Sequence, residues 1–263
     1  MFLSIIYDTD ESSGMLQSVY QLAVQMDKDF AVLFLETNKG KKDKGKKDKS
    51  ASSKSLDILL KDLDIQVKDV WIIDTPIENY SQFCDDKGVS FMFFQLIDNK
   101  RQTISKHLQA CRDLRIPYLL YKKNFSSLSP QKLLVPVSFL IEEREKAQFA
   151  AAFGRFVGTS ITLLQAKDFG SKAATNIEKI STFLDRFQLD YQVQLADKDS
   201  FKLHRTALHL TKEHPYDLMI ISASRAYGLD DLIFGPEELH LIKRSHIPIL
   251  LINPRDDLYV LCD

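Results

Sequence analysis

The chain contains an internal repeat, which limits the folds open to it more than any other feature of the sequence. Residues 3–36 and 133–166 follow the same pattern without a gap: an apolar run, a turn, an amphipathic segment and a second apolar run. Segments 116–120 (Ile-Pro-Tyr-Leu-Leu) and 247–251 (Ile-Pro-Ile-Leu-Leu) close the two copies. Because the offset of 130 residues is the size of a whole domain, it indicates duplicated domains and not a solenoid of short units.

Each copy alternates short apolar runs with amphipathic segments. Residues 132–137 are apolar and β-branched, as in a buried strand, and Ser138 is suitably placed to cap the helix that follows. Alternating strands and helices are typical of a parallel sheet covered on both faces. The sequence therefore predicts an α/β protein with two tandem flavodoxin-like domains, 1–122 and 132–263, each a doubly wound, five-stranded, mostly parallel sheet.

The bulk composition fits this arrangement. The chain has 263 residues, of which 44% are hydrophobic and 27% charged, and no apolar run has the length of a membrane span. The sequence runs directly into a predicted strand with no basic region ahead of it, so no signal peptide is expected. Its three cysteines, Cys84, Cys111 and Cys262, are too far apart in sequence to form a metal-spaced pair. These features predict a cytoplasmic protein with reduced thiols and no membrane span.

A lysine-rich insert at residues 38–54 interrupts the first copy. Residues 39–54 contain eight lysines and two aspartates, which leaves 27 basic against 34 acidic residues in the rest of the chain. An acidic remainder argues against specific nucleic-acid binding. So highly charged a tract is expected to be disordered, and the functional alternative is an electrostatic contact with an acidic surface.

The expected location of a ligand follows from the fold class. Doubly wound sheets bind ligands beyond the carboxyl ends of their strands, where the strand order reverses. In the second copy this position corresponds to Pro136, Val137 and Ser138 after the first strand. It also corresponds to the segment from Ser222 to Gly235 after the fourth strand.

Together with the closing segment 247–251, these landmarks make residues 132–253 resemble the universal stress protein family. Residues 1–122 resemble it only weakly, chiefly through the repeat. In this family the last strands commonly pair across a two-fold axis. The resemblance therefore implies an intramolecular pseudo-dimer with 116–121 and 249–252 near the pseudo-two-fold, and it leaves open a further homodimer.

Many members of this family bind ATP through a motif of glycine, two residues, glycine, nine residues, then glycine followed by serine or threonine. An aspartate after the first strand meets the adenine side. In this chain the three glycine positions are Ser222, Arg225 and Gly235, the hydroxyl position is Pro236, and the aspartate position is Ser138. One of the five landmarks is therefore present.

The changes oppose phosphate binding. Glycines allow a backbone to wrap closely around phosphates, which Ser222 and Arg225 restrict. Pro236 lacks the N–H that would face an anion at the start of the helix. Glu237 and Glu238 then add negative charge at the same helix end. The nucleotide site of the second copy is thus predicted to be vestigial, without tight ATP binding, unless Arg225 or a metal compensates.

The first copy keeps an aspartate, Asp8, after its first strand, but no glycine occurs between residues 89 and 124. A phosphate cradle is therefore not expected there either. Neither copy has a recognisable catalytic constellation or metal-ligand spacing. No cofactor is predicted, and ATP with magnesium is disfavoured.

Three functions remain open. The leading hypothesis is a non-catalytic stress-response or regulatory protein that acts through contacts with an unidentified protein partner. The alternative is an adenine-nucleotide sensor with slow ATP hydrolysis, using a remodelled site in the second domain. A third option is a carrier of small molecules or lipids in a pocket left by the lost phosphate site.

Overall fold

The computed structural model describes residues 1–7, 9, 11–36, 49–74, 77–224 and 235–255, with the backbone alone for residues 49–52. The chain divides into two compact units. The first comprises Met1–Asn99 and Gln109–Leu128, and the second comprises Lys100–Leu108 and Ser129–Asp263. The domain limits inferred from the repeat, 1–122 and 132–263, stay a prediction.

The first unit is built on five parallel strands. They are β1 (Phe2–Ile6), β2 (Phe30–Leu35), β3 (Asp69–Ile73), β4 (Phe91–Gln95) and β5 (Tyr118–Tyr121), in the spatial order β3-β2-β1-β4-β5. The helices of this half of the sequence are α1 (Ser13–Gln25), α2 (Lys49–Asp62), α3 (Tyr80–Lys87) and α4 (Arg101–Ala110). Residues of β1, β2, β4 and β5 are buried throughout, which explains their nearly continuous apolar sequences.

The second unit repeats this plan. Its strands are β6 (Lys132–Val137), β7 (Ser160–Gln165), β8 (Tyr191–Leu195), β9 (Leu218–Ser222) and β10 (Ile249–Ile252), in the order β10-β9-β6-β7-β8. Its α-helices are α5 (Lys146–Val157), α6 (Lys172–Arg186), α7 (Leu203–Glu213) and α8 (Glu237–Arg244). Short 3-10 turns, Ile141–Glu145 and Ser200–Lys202, precede α5 and α7.

The predicted α/β class with doubly wound parallel sheets is confirmed. Counted within each unit, the strand order is 3-2-1-4-5, which matches five of the six strands of the dinucleotide-binding order 3-2-1-4-5-6. The order reverses between the first and fourth strands, which are β6 and β9 in the second unit. Ligand chemistry is therefore expected beyond the ends of β6 and β9.

Three details differ from the sequence interpretation. Helix α2 begins at Lys49, so residues 49–54 of the predicted insert are helical, while residues 38–48 lie outside the described residues. The residue that caps the turn after β6 is Leu140, not Ser138, because the chain stays extended to Leu140 before the 3-10 turn begins. The Ser138 hydroxyl instead accepts a hydrogen bond from the Leu140 N–H at 3.3 Å.

The two middle segments that are similar in sequence, 63–67 and 189–193, are not structurally equivalent. Strand β8 begins at Tyr191, inside its segment, whereas β3 begins at Asp69, beyond the end of the other segment. After α2 the chain turns through Asp64, with φ of 52°, and the Ile65 N–H bonds back to the Leu60 carbonyl. Residues 65–67 therefore belong to the connection between α2 and β3 and not to the strand.

Candidate functional site

The site is formed by the loops that follow β6 and β9 in the second unit. Ser138 comes directly after β6 and is 6% exposed, and Ser222 is the last residue of β9. Gly235 and Pro236 lead into α8. Arg225 and, in the first unit, Asp8 lie outside the described residues.

A buried ion pair lies beneath the loop that follows β6. Glu143 and Lys146 are 2% and 0% exposed, and the Lys146 Nζ donates to Glu143 Oε2 at 2.6 Å. The same Nζ donates to the Pro136 carbonyl at 2.5 Å, and the Ser138 N–H donates to Glu143 Oε2 at 3.1 Å. A buried charge is tolerated when its partners satisfy it, as they do here. The backbone that a ligand would meet after β6 is thus bonded to the protein's own side chains.

Asn176 of α6 extends this bonding. Its side-chain amide donates to the carbonyls of Ser138 at 2.9 Å and Leu140 at 2.7 Å. Its oxygen accepts from Arg144 Nε at 2.9 Å, which holds the amide in one orientation. The Phe139 N–H donates to the Ser200 hydroxyl at 3.1 Å. Hydrogen bonds to Glu143 and Lys146, to Asn176 and to Ser200 therefore fix the loop from Pro136 to Leu140.

A carboxylate also binds the loop after β9. Glu238 is 2% exposed, and its Oε2 accepts from the Ser224 hydroxyl at 2.8 Å. Its Oε1 accepts from the Ser224 N–H at 3.4 Å. A backbone N–H at the end of this strand could donate to a phosphate oxygen. In this protein the Glu238 carboxylate takes that place.

The start of α8 keeps one feature of the phosphate motif and lacks another. Gly235 has φ of +81°, a conformation that other residues adopt at a cost, and a Cβ there would lie 3.1 Å from a methyl group of Leu239. Pro236 is the N-cap residue of α8 and has no N–H to offer. The predicted helix start at Pro236 and the loss of a donor there agree with the structure.

His204 of α7 joins the same site. Its Nδ1 lies 3.0 Å from Glu237 Oε2, and its Nε2 is buried with no hydrogen-bond partner among the described residues. Burial of Glu237 raises its pKa, but the hydrogen bond and charge of His204 outweigh this and hold the pKa below its usual range. The His204 side chain is only 17% exposed, whereas that of His209, on the same helix, is 73% exposed.

The equivalent position in the first unit is also internally bonded. Gln95, the last residue of β4, is 1% exposed, and its Oε1 accepts from the Tyr7 N–H at 2.8 Å. The same unit contains Cys84, on α3. Burial is the main cause, and the charge of Asp85 the smaller one, that raises the pKa of the Cys84 thiol to about 12. A thiol with a raised pKa is mostly protonated at neutral pH and is a poor nucleophile.

The structure thus brings Pro136, Val137 and Ser138 to the same end of the sheet as Ser222. Sequence reasoning missed the side chains that bond this region internally, namely Lys146, Asn176, Ser200 and His204. One pattern could have indicated Lys146, because it lies four residues before Ala150 and seven before Phe153, on the buried face of α5. A lysine at a core position of a helix usually has a buried partner.

No group of three metal-binding side chains occurs among the described residues. No helix in the described part of the chain is long and apolar enough to cross a membrane. Two open clefts of about 460 and 580 Å³ lie along β8 and α7, and both include Gln194. Neither is lined by Ser138 or Ser222, so they are not remnants of the phosphate position.

Comparison with known proteins finds similarity in structure and not in sequence. No protein-family model matches the chain, and no curated protein matches it. The crystal structure of a universal stress protein from Archaeoglobus fulgidus DSM 4304 matches with a TM-score of 0.68 and 14% identity, over 97% of both chains. A putative universal stress protein from Pseudomonas aeruginosa UCBPP-PA14 has a TM-score of 0.59 and 14% identity, over 98% of this chain and 94% of that one. The chain therefore has the fold of universal stress proteins.

Proposed function

We propose that this chain is a non-catalytic regulatory protein, of the stress-response type, that acts through contacts with protein partners and does not bind ATP tightly. The observation that carries the proposal is the Glu238 carboxylate bonded to the N–H and hydroxyl of Ser224. A triphosphate at this point would meet a buried carboxylate. Like charges about 4 Å apart repel by roughly 1 to 4 kcal/mol in water-exposed to partly buried surroundings.

The β6 loop supports the same proposal. A nucleotide that used the backbone of Pro136 or Ser138 would first have to break bonds to Lys146 and Glu143. These groups are almost fully buried, so the bonds cannot be exchanged for bonds to water without cost. The scaffold of a nucleotide-binding fold is kept, while its anion-binding groups are engaged with the protein itself.

Calorimetric titration with ATP and magnesium tests the proposal. We expect no measurable heat of binding, and no rise in melting temperature when the protein is heated with the same ligand. Any weak binding should strengthen in Glu238→Gln, which removes the charge, and less in Glu237→Gln, whose carboxylate is directed to His204. An ATP dissociation constant in the low micromolar range for the natural chain would overturn the proposal.

A second candidate is an adenine-nucleotide sensor with slow ATP hydrolysis. Two observations favour it: Gly235 keeps the left-handed conformation, and the buried Nε2 of His204 has no partner within the described residues. The titration separates the candidates, because a sensor must bind the nucleotide. If binding is found, loss of that binding in His204→Ala would assign it to this site.

A further inference from the structure

Exposed apolar side chains are concentrated on three loops at one end of the second unit. Phe169 is 110% exposed and Phe201 is 81% exposed, while Leu140 and Ile141 are 44% and 39% exposed. These residues follow β7, β8 and β6 respectively, so they lie at the carboxyl end of the sheet. Phe169, Phe201, Leu140 and Ile141 are called the apolar tip below.

Hydrogen bonds join the three loops, so the residues of the apolar tip are held together at one end of the sheet. The Asp168 carboxylate accepts from the Ser200 N–H at 2.8 Å and from its hydroxyl at 2.5 Å. Ser200 in turn accepts from the Phe139 N–H, and the Phe139 and Phe201 rings lie 5.7 Å apart between centroids. The Lys167 N–H donates to the Lys198 carbonyl at 2.8 Å.

Basic residues surround this surface. Lysines at four positions on the β7 and β8 loops and the adjoining helix starts are exposed: Lys167, Lys172, Lys198 and Lys202. Three aspartates lie on the same loops: Asp197 is exposed and lies 3.4 Å from Lys198, and Asp168 and Asp199 are half-buried. On these loops, exposed lysines therefore outnumber exposed aspartates by four to one.

We propose that the apolar tip docks on an anionic lipid surface. Side chains that stand out singly, as Phe169 does, can enter the boundary between headgroups and acyl chains, while lysines beside them meet the anionic headgroups. A protein interface would be expected to be flatter and poorer in lysine. This inference goes beyond the proposed function and does not depend on it.

Co-sedimentation with vesicles tests the inference, using the full chain. Vesicles contain either phosphatidylcholine alone or equal parts of phosphatidylcholine and phosphatidylserine. We expect binding to the mixed vesicles only, and at least a roughly tenfold weaker partition for Phe169→Ser/Phe201→Ser, because each buried phenyl group contributes strongly to transfer.

The matched control is Phe156→Ser/Phe187→Ser. These phenylalanines are 44% and 42% exposed and lie at the carboxyl ends of α5 and α6, at the opposite end of the sheet. Because the lysine-rich insert is present in every variant, it cannot produce a difference between the two double variants. Equal vesicle binding by both, or no binding by the natural chain, would overturn the inference.

A second measurement covers the case in which a double variant folds poorly. Trp71 is the chain's single tryptophan, so Phe169→Trp in a Trp71→Phe background places one fluorophore at the apolar tip. Its emission should shift to shorter wavelength when mixed vesicles are added, and should not shift with phosphatidylcholine alone. Emission that shifts with neither kind of vesicle would contradict lipid docking. Capture of a protein partner through the same phenylalanines would then assign the apolar tip to a protein interface.

Discussion

At the scale of single residues, charges buried inside the second unit determine what its sheet end can bind. Lys146 has no exposed surface, and its ammonium group is shared between Glu143 and the Pro136 carbonyl. A site that binds phosphate needs donors that are unoccupied in the free protein. Here the donors and acceptors of the β6 loop are engaged before any ligand arrives.

Lys146→Met should destabilise the protein by about 3–5 kcal/mol, because it leaves the Glu143 carboxylate buried without its cation. Denaturant unfolding of the natural chain and the variant measures this difference. Lys179→Met, at an exposed lysine of α6, is the control and should change stability little. The double variant Glu143→Gln/Lys146→Met should recover part of the loss. A single variant as stable as the natural chain would show that the pair is not buried in solution.

At the scale of elements, the strands are predictable from the sequence, whereas the start of the helix after β6 is not. The buried residues of strands such as β6 and β9 are all apolar, so their sequences suffice to locate them. The start of the helix after β6 was misplaced because a 3-10 turn, capped by the backbone of Leu140, comes first. The partners of Lys146 are Glu143, three residues earlier, and the carbonyl of Pro136, ten residues earlier, and spacing alone does not identify a backbone carbonyl as a partner.

The contact between α7 and α8 should depend on pH through Glu237. Because its pKa is held below the ordinary carboxyl range in the folded protein, the bond to His204 stabilises the fold at neutral pH. That stabilisation should be lost as the pH falls through the ordinary carboxyl range toward the lower pKa of the folded state. Since the Glu237 side chain is 49% exposed, the effect should be well under about 1 kcal/mol.

The measurement is the denaturation midpoint of the natural chain and of Glu237→Gln from neutral to acidic pH. The two should differ at neutral pH and converge in acid. Glu213→Gln provides the control, because Glu213 is also an exposed glutamate beside a histidine, 3.8 Å from His209 within a single helix. Equal midpoints at neutral pH would mean that the Glu237 charge does not stabilise the fold, which would contradict a lowered pKa for this carboxyl.

At the scale of the whole molecule, positive charge is concentrated in one tract of an otherwise acidic chain. Residues 39–54 contain eight of the 35 lysines and arginines. The chain should therefore be retained on an immobilised polyanion such as heparin at low salt, and should elute steeply as salt screens the tract. Deletion of residues 39–48, which removes six lysines and spares the described part of α2, should remove most of the retention. Retention that persists after the deletion, or that does not fall as the salt concentration rises, would show that other residues bind the polyanion.

The internal bonding of the β6 and β9 loops has a further consequence for laboratory evolution. A selection for nucleotide binding that starts from this sequence has to free the β6 loop from the Lys146–Glu143 pair, and either change alone leaves the other charge buried without its partner before any ligand has been gained. Productive variants of this loop should therefore come from libraries in which both positions change together, whereas Glu238 can be neutralised alone.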